Sequence, residues 1–260
     1  MPSIPQLDTS NVTDMIGMFN QCRSLRTIPQ LDTSNAKNMN SMFSDCYSLQ
    51  SIPELNTSSV TNMSRMFSNC YSLLSIPELD ASNVTNMNGM FEYCFSIKTI
   101  PQLNTNKVTS MSNIFGACYT LQSIPQLDTG NVTDMGNIFA YCSALQSVPQ
   151  LNTSKVTNMG SAFNGCYSLQ SIPQLDVNRV TGTSSLFSSC FSLVSILATN
   201  MSTSFNIANS TLLDTDALVT ILNNLATVSS TKTLTMGSTL LNKLTAEQKA
   251  IATNKGWTLA

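Results

Sequence analysis

The sequence predicts an α/β solenoid: a parallel stack of eight 24-residue coils over residues 1–197, followed by a C-terminal α/β cap over residues 198–260. Three observations predict it. The cysteines Cys22, Cys46, Cys70, Cys94, Cys118, Cys142, Cys166 and Cys190 are each 24 residues apart. The prolines from Pro5 to Pro173 and the phenylalanines from Phe19 to Phe187 keep the same period, with no insertion or deletion. The chain is also long and apolar enough to fold, with 260 residues, 42% of them hydrophobic and only 10% charged. A fixed period of this length is the mark of a solenoid, because no single coil can bury its apolar edge and stacking buries it. At about 4.8 Å per rung, eight coils span roughly 40 Å.

Each element follows from one unit, read from Ile4 to Thr27. Val12, Met15, Phe19 and Cys22 are spaced 3, 4 and 3 apart, which predicts one face of a short helix or 3₁₀ segment, widened by Met18. Leu25, Ile28 and Leu31 break that spacing. Ile28 is β-branched and Pro29 cannot donate to a ladder, so a short strand is predicted over roughly Leu25 to Ile28, ending before the proline. Asp32-Thr33-Ser34-Asn35 is turn chemistry that caps the next segment. The last unit decays, with Thr183 in the Met column, Val177 in the Thr column and Leu197 in the Pro column.

The remaining segment has its own signals. Asp214 or Thr215 can cap a helix carrying Leu218, Ile221, Leu222 and Leu225. Lys232 to Met236 alternates like a strand. Thr245-Ala246-Glu247-Gln248 fits a capping box, Gly256 a C-terminal stop, and Trp257-Thr258-Leu259 a last strand. A solenoid needs an atypical terminal unit over the open end of its core, so this segment is expected to be that unit rather than an independent domain.

Composition excludes most chemistry. There are no histidines, which removes His-based triads, the usual zinc sites and the commonest general base. A catalyst would then need Ser-Lys, paired carboxylates or an activated cysteine. The lysines are isolated, the acids are spread over the coils, and the cysteines lie on the apolar face. No enzyme, cofactor or metal is expected. The net charge is −2 with the 12 basic residues scattered, which argues against nucleic acid or a membrane surface as partner. No run of 18 apolar residues could span a membrane. Met1-Pro2-Ser3-Ile4-Pro5 is not a secretory signal. The chain begins inside a unit, so it is expected to be part of something longer.

The columns carry competing readings. The cysteines fit buried small hydrophobes better than bridges or metal ligands, since stacked equivalents point the same way and no CxxC occurs. The Asp/Asn column from Asp8 to Asp176 reads as turn capping rather than calcium binding. A flat threonine array for ordered water (Thr9, Thr33, Thr57, Thr105, Thr129, Thr153) is interrupted by Ala81 and Val177. The Asn-x-Ser/Thr sequons at Asn11, Asn83 and Asn131 read as repeat chemistry rather than glycosylation sites.

The run from Asn83 to Cys94, onward through Ser96 to Ile100, has the pattern Asn-Val-Thr-x-Met-x-x-Met-Phe-x-x-Cys-x-Ser-Leu-x-x-Ile. It resembles the leucine-rich repeats of the bacterial surface protein (BspA-like) family, over about three quarters of the chain. The resemblance implies a right-handed leucine-rich-repeat-like solenoid, in proteins that are mostly extracellular, cell-surface or phage-borne and that bind rather than catalyse. One departure matters. The position after Cys, more often Ser in that family, holds Arg23, Tyr47, Tyr71, Phe95, Tyr119, Ser143, Tyr167 and Phe191. Tyr47, Tyr71, Phe95, Tyr119 and Tyr167 are the candidate ligand-binding residues, because exposed tyrosines give large, rigid contact area with a polar tip. A stacked ladder that binds nothing is the competing reading. Tyr93 and Tyr141 would widen the patch. The variable positions equivalent to Ile16, Gly17, Asn20, Gln21, Arg23 and Arg26 mark a surface free to recognise or to drift. The expected function is an extracellular adhesin or receptor-binding module for a protein or glycan on a host or neighbouring cell. The alternative is a structural spacer, stalk or phage-fibre component.

Overall fold

The computed structural model describes residues 4–260; Met1 to Ser3, where the absent signal was read in part, lie outside the described residues. Parallel bridges join residues 24 apart, from Asp14–Asn38 through Asn86–Ser110 to Asn158–Gly182, which makes the chain a repeat solenoid. Around each bridge every second N–H reaches the following coil. Met15 donates to Asn38 O at 2.9 Å, Gly17 to Asn40 O at 2.9 Å, Phe19 to Met42 O at 2.9 Å and Gln21 to Ser44 O at 2.8 Å. The N–H groups between them fold back three residues: Met18 to Met15 O, Asn20 to Gly17 O and Cys22 to Phe19 O.

This alternation corrects the helix or 3₁₀ segment predicted for each coil. A helix would engage its N–H groups internally and leave none for the neighbouring coil. Linked turns instead divide them between the two uses. Each coil also holds two residues with positive φ, four apart: Ser41 (54°) and Asp45 (60°), Gly89 (59°) and Tyr93 (60°), Asn137 (54°) and Tyr141 (62°). The 3-4-3 apolar spacing is real but comes from turns that aim Met15, Phe19 and Cys22 to one side.

The short strand predicted in each coil is also corrected. Only β1 (Ser171–Ile172) and β2 (Ser195–Ile196) form a regular parallel pair within the repeats. They pair where the proline column ends: Leu197 stands in the proline position and its N–H donates to Ile172 O at 3.2 Å. Elsewhere the proline has no N–H to extend the ladder, leaving scattered bonds such as Gln50 N to Arg26 O at 3.1 Å.

Inside the stack the phenylalanines form a column of parallel rings, from Phe19–Phe43 at 5.5 Å to Phe163–Phe187 at 6.0 Å. The thiols beside them are free, and those from Cys46 to Cys190 are buried. Each inner thiol donates to the phenylalanine carbonyl of the preceding coil, as Cys46 does to Phe19 O and Cys94 to Phe67 O at 3.1 and 3.2 Å. Burial pushes the Cys46, Cys118 and Cys190 thiols up to about 12. Cys22 is exposed, a correction to the expectation that the whole column is buried, because no preceding coil covers it among the described residues.

The threonine column faces inward too: Thr9 Oγ1 donates to Asp32 O at 2.8 Å and Thr105 Oγ1 to Asp128 O at 2.9 Å, so it presents no flat array to water. The Asp column caps turns. Asp8 Oδ1 accepts from Ser10 N at 3.1 Å and from its hydroxyl at 2.7 Å, and these bonds hold the carboxyl below its usual range.

The C-terminal segment holds β3 (Phe205–Asn206), α1 (Thr215–Asn224), β4 (Lys232–Thr235), α2 (Gly237–Leu241), α3 (Ala246–Thr253) and β5 (Trp257–Leu259). The three strands form a parallel sheet in the order β3-β4-β5. Asp214 caps α1 by accepting from Ala217 N at 2.8 Å. Both capping-box bonds of Thr245 and Gln248 are present on α3, and Gly256 follows with φ 88°. α2, which no side chain caps, carries no sequence signal. Phe205 meets Phe187 edge to face at 6.2 Å, and Trp257 meets Phe205 at 5.8 Å, so the aromatic column runs on into this segment. No helix among the described residues is long and apolar enough to cross a membrane.

Candidate functional site: an aromatic ladder and its break

The residue after each cysteine sits where the chain leaves the turns for the extended strip. Its backbone is fixed from the neighbouring coil: Ser96 Oγ donates to Tyr71 O at 2.8 Å, and Thr120 Oγ1 to Phe95 O at 2.7 Å. The side chains point away from the core and stack. Tyr47 and Tyr71 lie 4.6 Å apart, Tyr71 and Phe95 4.6 Å, and Phe95 and Tyr119 5.0 Å, with planes within 19° of parallel. The Arg23 guanidinium closes one end, 5.2 Å from the Tyr47 ring centre. Tyr167 is not part of this run; it pairs with Phe191 at 5.4 Å, beyond Ser143.

The rings therefore stack as a ladder from Tyr47 to Tyr119, and part of the column stays exposed. Within the run, the faces of Tyr71 and Phe95 are covered on both sides, while Tyr119 has a ring on one side. Tyr47, Tyr71 and Phe95 are half-buried, while Tyr119 and Tyr167 are each 44% exposed and Phe191 48%. Desolvation, with Tyr47 beside it, raises the Tyr71 phenol above its ordinary value.

Tyr93 and Tyr141, two residues before the column, are exposed and carry backbone strain. Both hold the left-handed conformation, which disfavours a bulky residue by about 1–2 kcal/mol. Tyr93 meets Phe95 edge to face at 6.1 Å. Tyr141 lies over Gly165, where a Cβ would come within 2.7 Å of its ring, and its hydroxyl accepts from Asn164 Nδ2 at 3.3 Å. The amides of Asn83 and Asn131 donate to backbone carbonyls at 2.8 Å, so these sequon nitrogens are engaged in stacking the coils.

Sequence reasoning missed a second feature. A groove of about 940 Å³ runs along the Gln-Leu-Asp/Asn-Thr side, with Leu127 and Leu151 in its lining and Gln126, Asp128, Gln150 and Asp176 around them. Its amides are already engaged: Gln126 Nε2 donates to Gln150 O at 2.7 Å, and Gln150 Nε2 to Gln174 O. No cation lines it. The signal was a glutamine column as periodic as the cysteines, in which Glu54 and Glu78 replace Gln in two units.

No curated protein matches the sequence. Among solved structures, the T. pallidum leucine-rich repeat protein is 21% identical, over 64% of this chain and 76% of that chain, with a TM-score of 0.47. TLR13, solved as its complex with ssRNA13, is 18% identical over 78% of this chain and 34% of that chain, with a TM-score of 0.33. The profile of the family described as "Mycoplasma protein of unknown function, DUF285" matches residues 2–100, 71–170 and 93–200, the same stretch that carries the 24-residue period. By that match, which covers most of its length, the chain belongs to the DUF285 family.

Proposed function

We propose that the chain is a non-catalytic binding module, an extracellular adhesin or receptor-binding segment that recognises a protein or glycan on a host or neighbouring cell. The recognition surface is the aromatic column of Tyr47, Tyr71, Phe95, Tyr119 and Tyr167, with Phe191 beyond it. The observation that carries this reading is the exposure of Tyr119, Tyr167 and Phe191, set against inward columns that are almost wholly buried. Large exposed rings in a row favour association with something. The resemblance to bacterial-surface (BspA-like) repeats supports the extracellular setting. Residues 198–260 close the open end of the stack in this reading, and 1–197 present the surface.

The alternative is a spacer, stalk or phage-fibre component with no ligand of its own. It is favoured by the mutual covering of ring faces between Tyr47 and Tyr119. The double substitution Tyr71→Ser with Tyr119→Ser separates the two. Binding to glycan and protein arrays or to cells is expected to be lost while the melting temperature holds within a few degrees. A melting temperature that falls by more, with binding per folded molecule unchanged, would make the rings structural and leave the spacer.

A further inference from the structure

We propose that the break in the ladder at Ser143 is a binding slot for one flat aromatic ring, the side chain of a Tyr, Phe or Trp presented by a partner protein. This rests on the recognition reading above and assigns it a place and a ligand chemistry.

The argument starts from spacing. Consecutive rings along the ladder stand 4.6, 4.6 and 5.0 Å apart. Tyr119 and Tyr167 are separated by two coils, with Ser143 between them. Two rungs at about 4.8 Å put their ring centres roughly 9–10 Å apart. That is the room one more ring takes in this ladder, with a face toward each wall. The flanking coils hold Tyr119-Thr120 and Tyr167-Ser168 where this coil has Ser143-Ala144, so no ring fills the place between them. Tyr119 and Tyr167 are more exposed than Tyr47, Tyr71 and Phe95, as rings lacking a neighbour on one face should be, and Phe191, which also has one ring neighbour, is exposed too.

Tyr141, the nearest ring in the same coil, is held out of the slot over Gly165 and by the bond from Asn164. Three residues on from Tyr119, Ser143 and Tyr167, the chain carries exposed Gln122, Gln146 and Gln170, neutral amides that suit a peptide backbone and offer no charge to a phosphate. A nucleobase would arrive with such a phosphate, so a protein side chain fits better. Stacking of offset parallel rings supplies the attraction.

The test uses the whole chain with N-acetyltryptophanamide, N-acetyltyrosinamide and a methyl glycoside as probes, read by NMR. The aromatic amides should produce saturable ring-current shifts at the Tyr119 and Tyr167 ring protons. Ser143→Tyr, which completes the ladder, should weaken them by at least about tenfold while keeping the fold. Leu212→Ser, an exposed position in the C-terminal segment and outside the column, should leave them unchanged. No saturable shift, or shifts that survive Ser143→Tyr, would overturn the slot; saturation by the glycoside alone would make it a sugar site and overturn the ring assignment. An array partner whose binding ignores Ser143→Tyr but is lost in the Tyr71→Ser, Tyr119→Ser variant would sink the slot and keep the recognition surface. Aromatic amides that bind while no array partner does would have the converse meaning.

Discussion

A thiol among phenylalanines does two things an alanine cannot. It fills the space beside the ring, and it donates to the carbonyl of the previous coil, as Cys118 does to Phe91 O at 3.1 Å. Burial raises the inner thiols, Cys118 to about 12, so they stay protonated in the fold well above the pH at which an unfolded thiol ionises, about 8.5. Because the folded value is the higher one, this contribution is complete below pH ~8.5 and is lost as pH climbs toward the folded value. Each thiol then tilts stability by about 1.4 kcal/mol per pH unit within that window. The melting temperature should be flat on the neutral side of that window and fall through it, and the fall should be shallower in Cys118→Ala. Parallel melting profiles for the two proteins would show that the buried thiol is not what titrates.

At the scale of one coil, a central ring has a neighbour on each face and a terminal ring has one. Phe91 lies between Phe67 at 5.6 Å and Phe115 at 5.9 Å, whereas among the described residues Phe19 has one ring neighbour, Phe43. Phe91→Ala should therefore cost about 3–5 kcal/mol and Phe19→Ala clearly less, since the open end can relax. Equal losses in thermal melts would contradict this. The inward columns and the turn capping at Asp8 were legible in the sequence, because period and residue type determine them. The turn conformation was not, because linked turns and a helix give the same 3-4-3 apolar spacing. The missed signal was the recurrence of Gly, Asn and Ser in the Gly17 column, where φ is positive. At the site, the aromatic column and its break at Ser143 could be read, but nothing in residue types alone told that the ring faces cover one another.

For the whole molecule, each coil is stabilised by its neighbours, so the ends decide whether the array is soluble. At the C-terminal end the stack does not stop at Phe187. Phe205 meets that ring edge to face, Trp257 covers Phe205, and Ser210 Oγ donates to Cys190 O at 2.9 Å, the carbonyl of the last cysteine in the column. Thr199 and Met201 continue the parallel bridges to Asp176 and Leu225. Removing residues 198–260 would strip these partners at once, baring Phe187, Leu193 and Ile196 and uncovering β2, whose second edge has no strand partner and which α1 packs against. Exposed strand edges beside apolar surface pair with other chains. The 1–197 fragment is expected to aggregate or to lose structure in its last coils, seen as early proteolysis near Phe187 and as large species in size-exclusion chromatography. A soluble, monomeric, fully folded 1–197 fragment would mean that residues 198–260 do not cap the stack.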